Sequence, residues 1–173
     1  MDAVEAQTFD MKRLNSAKVA EQWPKLREIF LSALPPITCE DSDWESRILA
    51  ALVGERMQAW ALIEAPDHPL IIALTNIVTD EVSLVRNLQI YCLGSVDLAI
   101  VPLAAWVEGI ETLRKFGEAM GCHRIVAFTS EPRILQIAKH LGGVEQFVFL
   151  TFPLTNPNAV IEVKSDGNLC GAA

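Results

Sequence analysis

The chain has 173 residues, 51% of them hydrophobic and 21% charged, with 22 acidic side chains against 14 basic ones. That length and balance fit one globular domain with a proper core and exclude a disordered chain. A formal charge of −8 with no long basic run argues against nucleic acid, whose binding needs clustered Lys and Arg. The longest strongly apolar run, Leu98 to Val107, is about half a membrane span. The first thirty residues are too charged for a signal peptide. Cytoplasmic synthesis and no membrane partner are therefore expected. Cys39, Cys92, Cys122 and Cys170 form no C-x-x-C pair, so reduced thiols are expected rather than disulfides or zinc ligands.

The polar N-terminus reads as an arm over residues 1–15. Val19, Trp23, Leu26, Phe30 and Ala33 recur at helical spacing, with Pro24 either kinking that helix or starting it. Ser42-Asp43-Trp44-Glu45 fits a capping box for a second helix carrying Ile48, Leu49 and Leu52 and ending at Gly54. The acids from Glu40 to Glu45 suit that helix start better than a cation site. "RMQAWALIEA", "LIIALTNIVT" and "LVRNLQIYCLG" are three strands joined by the turns "PDHP" and "DEVS", an antiparallel meander.

The period then changes. Leu103, Trp106, Val107, Ile110, Leu113, Phe116 and Met120 make one helical stripe after Pro102, closed by Gly121. "RIVAFT" reads as a short buried strand. Ser130 caps a helix through "PRILQIAKHL" that ends at Gly142-Gly143, and "VEQFVFLTFPL" is a last strand. Residues 155–173 read as a tail, leaving a domain over 16–154. A meander feeding a β-α-β crossover predicts a mixed α/β sheet of five to six strands with helices on both faces.

This order, and most specifically "LAAWVEGIETLRKFGEAMGCHRIVAFTSEPRILQIAKHLGGVEQFVFLTFPL", resembles the GNAT superfamily of N-acetyltransferases. The phrasing around "W…L…G-C-H-R-I" is similar to GNAT-like proteins encoded by tailed bacteriophages. The resemblance implies an acetyl-CoA loop of the form Q/R-x-x-G-x-G/A after the fourth strand. Here that segment reads "LGSVDLAIVPLAAW". Gly94 is one remnant glycine and Ser95 offers a hydroxyl. Asp97 brings negative charge where a diphosphate would sit, a repulsion of a few kcal/mol at an effective dielectric near 20. Pro102 removes an N–H.

The resemblance also implies a tyrosine acid four residues before the last helix's closing glycine. Counting back from Gly142 gives Ala138, and the sole tyrosine, Tyr91, lies in the third meander strand. Glu64, Asp80 and Glu81 are the nearest general bases by chain position, each equally explained as strand-end or turn solvation. Cys122-His123 is an adjacent thiol and imidazole explained by the turn that holds them. His68 lies in a turn and His140 on a helix, so no metal set forms. Trp23, Trp44 and Trp106 read as core. Trp60 falls on the strand face opposite Met57, Ala59, Ala61 and Ile63 and needs helices on both sheet faces to cover it.

No catalytic, cofactor-binding or metal residue is assigned on these grounds. The expected function is a non-catalytic, structural or accessory GNAT-fold component of an assembly such as a tailed-phage virion, contacting other protein subunits through its two tails. The alternative is an acyl-CoA-dependent N-acetyltransferase with a divergent loop, for which acetyl-CoA is the cofactor.

Overall fold

The computed structural model describes residues 8–34, 43–64, 68–95, 101–129 and 131–146. Their elements run β1 (Phe9–Leu14), α1 (Ser16–Ala33), α2 (Trp44–Val53), β2 (Met57–Glu64), β3 (His68–Thr79), β4 (Arg86–Gly94), α3 (Leu103–Ala119), β5 (Arg124–Ala127) and α4 (Pro132–His140). One sheet has the order β1-β2-β3-β4-β5, antiparallel from β1 to β4, with β4 and β5 parallel. The expected mixed sheet is present, with α3 as the crossover that a parallel pair requires.

Asn15 caps α1 by accepting from Lys18 N at 2.8 Å. The helix then runs through Pro24 and buries Val19, Leu26 and Phe30. This tertiary burial outweighs the hydrogen bond that a proline removes. With α2, it covers Ala59 and Ala61 of β2, Ile72 and Leu74 of β3 and Cys92 of β4. The opposite sheet face carries Trp60, Leu62, Ile71, Ala73 and Leu88 beneath α3 and α4.

Trp60 is thus covered, as helices on both faces require, and is 4% exposed. Its ring meets Phe116 edge-on at 5.0 Å and its Nε1–H donates to Thr75 Oγ1 at 2.8 Å. Thr75 donates in turn to Gln58 Oε1 at 3.1 Å, and Gln58 Nε2 donates to the Glu55 carbonyl at 3.2 Å. These buried polar side chains satisfy one another, as a water-free sheet face demands.

Several sequence expectations need correction. The arm expected over residues 1–15 is a strand from Phe9 onward, registered on β2. Asp10, Lys12 and Arg13 conceal it, because an edge strand tolerates charges that a central one would not. Asp43, the cap of α2, makes no side-chain capping bond, and Glu45 pairs with Arg27 of α1 instead of closing a capping box. Ser42 lies outside the described residues. Gly54 does end α2 as its C-cap, and the positive φ that follows falls on Glu55, at 56°.

The α3 stripe is rotated from the one expected. Ala105, Trp106, Leu113 and Gly117 are buried, while Leu103, Val107 and Met120 are exposed. Small residues take the inner face because α3 lies close to the sheet: a Cβ at Gly117 would sit 3.5 Å from Leu88 Cδ2. β5 is half-buried to exposed rather than buried. Glu131, not Ser130, caps α4, accepting from Arg133 N at 3.3 Å. The last strand expected over 144–154 lies outside the described residues from 147 onward, as do both tails beyond residues 8 and 146.

Candidate active site

The β3–β4 ladder shifts register between Leu74, opposite Cys92, and Thr75, opposite Ile90, so Tyr91 is an extra residue in β4. This bulge turns Tyr91 and Cys92 to the α1/α2 face and Ile90 and Leu93 to the α3/α4 face. β4 pairs with β5 only from Asn87 to Ile90, then runs on beside β3 to Gly94. The parallel strands therefore part at the bulge. β4 has an antiparallel neighbour on one side and a parallel one on the other, and crevices at such switch points open at the carboxyl ends of the strands.

A cleft of about 560 Å³ lies between the start of α3 and α4. Leu103 and Trp106 line it from α3, and Glu131, Arg133, Gln136 and Ile137 line it from α4. α3 is capped by Pro102, which provides no side-chain acceptor. A helix started in this way presents first-turn N–H groups and the positive end of its dipole. Trp106 is 8% exposed, and its Nε1–H has no hydrogen-bond partner among the described residues. An apolar floor, an uncapped helix start and one guanidinium can together hold an elongated ligand bearing anionic groups.

The sequence candidates distribute unevenly around this cleft. Gly94 has a packing role. It lets α1 approach β4, since a Cβ there would lie 2.5 Å from Ile29 Cγ2 and 3.0 Å from the Ile29 carbonyl. Ser95 is half-buried, and Asp97 and Ile100 lie outside the described residues. Val101, in the irregular segment that leads into α3, is buried.

Ala138 is exposed and its carbonyl accepts from Gly143 N at 2.7 Å, closing α4. Tyr91 packs with the cluster on the α1/α2 face, away from α3 and α4. Asp80 and Glu81 occupy the turn before β4, roughly 26 Å along the strand from Gly94. Asp80 accepts from Val82 N, Ser83 N and Ser83 Oγ, and these bonds hold its carboxyl below the usual range. It is a turn residue and not a base. Glu64 ends β2 at the same end of the sheet as Gly94, because Ala61 and Gly94 both pair with Ile72.

Cys122 and His123 follow the far end of α3, roughly 25 Å from its start, where His123 N donates to the Arg86 carbonyl at 2.8 Å. His140 is exposed in the last turn of α4, and His68 begins β3. Among the described residues no group of three metal-ligating side chains occurs. No helix among them is long and apolar enough to cross a membrane. Arg133 and the unpartnered Trp106 donor escape sequence reasoning, which has no means of seeing a wall made from two separate helices.

No protein-family model matches the chain, and no curated protein matches it. Solved structures do. An aminoglycoside acetyltransferase from an uncultured soil metagenomic sample is similar over 86% of this chain and 99% of its own, with 16% identity and a TM-score of 0.62. An aminoglycoside N-acetyltransferase in complex with CoA matches over 90% of this chain and 100% of its own, at 15% identity and a TM-score of 0.62. A predicted acetyltransferase from Clostridium acetobutylicum, solved with acetyl-CoA, matches over 85% and 97%, at 11% identity and a TM-score of 0.61. The chain has the GNAT fold.

The GNAT neighbours overturn the expected role as a non-catalytic virion component. These neighbours are acetyltransferases, some of them solved with CoA or a bisubstrate analogue, and they give no support to a phage or structural role.

Proposed function

We propose that the protein is an acyl-CoA-dependent N-acetyltransferase. The observation that carries this is the cleft bounded by an uncapped helix start on one side and α4 on the other. Acyl-CoA supplies an acyl group activated as a thioester. The first-turn N–H groups of α3 receive its anionic portion, and Leu103, Trp106 and Ile137 provide apolar surface for the rest.

Direct transfer to an amine depends mainly on positioning, so the absence of an acid at Ala138 is tolerable when the departing thiolate takes its proton from water. Glu64 accepts the proton released by the amine. It stands two strands from β4, roughly 10 Å, and acts through water. The charge of −8 favours a cationic amine acceptor by attracting it to the surface.

The test is release of free thiol from acetyl-CoA in the presence of a panel of primary amines. Amine-dependent release is expected, with Glu64→Gln lowering it roughly a hundredfold while acetyl-CoA binding persists. No release with any amine, from a protein that melts cooperatively, would count against the reading.

A further inference from the structure

The acyl-CoA reading leaves one question, on which the following rests: which side chain neutralises the phosphates when the segment after β4 offers no arginine or lysine. We propose that Arg133 of α4 performs this role, so that the cationic contact comes from the opposite wall of the cleft.

Arg133 is half-buried and lines the same 560 Å³ cleft as Leu103 and Trp106 at the start of α3. An anion between the two walls meets a guanidinium on one side and the positive end of α3 on the other. Arg133 is the cation among the described lining residues, and a planar guanidinium suits a phosphate better than an ammonium does. Glu131 also lines the cleft, but its carboxylate accepts from Arg133 N at 3.3 Å as the cap of α4. Its charge opposes an anion without abolishing the site, so removing that charge has a predictable sign.

Calorimetric titration with CoA and with pantetheine, which carries no phosphate, separates the possibilities. Arg133→Ala is expected to weaken CoA binding roughly tenfold or more and to leave pantetheine unchanged, while Arg133→Lys recovers part of the loss. Glu131→Gln, which retains a capping oxygen, is expected to tighten CoA several-fold. Thermal melts of each variant establish that the fold persists. Wild-type CoA affinity in Arg133→Ala overturns the assignment and leaves the acyl-CoA reading intact. Equal loss of CoA and pantetheine also overturns it, since the second ligand has nothing for Arg133 to pair with. A wild-type protein that binds neither ligand removes the acyl-CoA reading and this assignment together.

Discussion

Ile29 of α1 and Gly94 of β4 approach so closely that a Cβ on the glycine would lie 2.5 Å from Ile29 Cγ2. The Ile29 carbonyl would be 3.0 Å away and the Ala33 Cβ 3.4 Å away, so backbone as well as side chain would have to move. Gly94→Ala is expected to destabilise the fold by about 1–3 kcal/mol, the usual result of overfilling a packed interior. Urea unfolding checks this. A variant as stable as wild type would mean that α1 can withdraw from β4 freely.

Trp106 presents the reverse case, a buried donor with nothing to bond among the described residues. Leaving such a group unsatisfied costs about 1–3 kcal/mol. Trp106→Phe removes the donor at the expense of some volume, and its stability is expected to stay within about 1 kcal/mol of wild type. Leu113→Ala, at a site on the same helix that is 3% exposed, should lose about 2–5 kcal/mol. Thermal melts that place both variants equally low would contradict an unpartnered indole.

Cys92 gives a pH dependence with a definite sign. Burial pushes its thiol from the usual 9.0 up to about 12, against a smaller opposing effect from a backbone hydrogen bond at Leu74. The unfolded chain therefore loses this proton first as pH rises. The thiol's contribution is fully present below about pH 9 and falls between about 9 and 12, by up to about 1.4 kcal/mol per pH unit. Urea midpoints at about pH 8 and about pH 10 should fall further for wild type than for Cys92→Ala. Equal falls would mean that Cys92 titrates as an exposed thiol.

The meander, the crossover helix and the coverage of Trp60 were legible because alternation and helical period report burial directly. β1 was not, since only Met11 among its six residues is buried. The rotation of α3 was hidden for a related reason: Ala105 and Gly117 reach the sheet because they are small, and hydrophobicity patterns give small residues little weight. The cleft was least legible. Its α3 wall follows β4 directly, but Arg133 arrives from a helix some thirty residues later, through packing on the sheet rather than any motif. A glycine and cation pattern in the loop after β4 says nothing of a helix start left uncapped by Pro102 or of an arginine on a separate helix.

The most direct test of the central claim is titration calorimetry of the wild-type protein with acetyl-CoA at low ionic strength. A saturable isotherm with micromolar affinity, about −8 kcal/mol, is the result that the proposed acyl-CoA site predicts. Silence up to millimolar acetyl-CoA would contradict the account, leaving a GNAT fold whose cleft serves some other ligand.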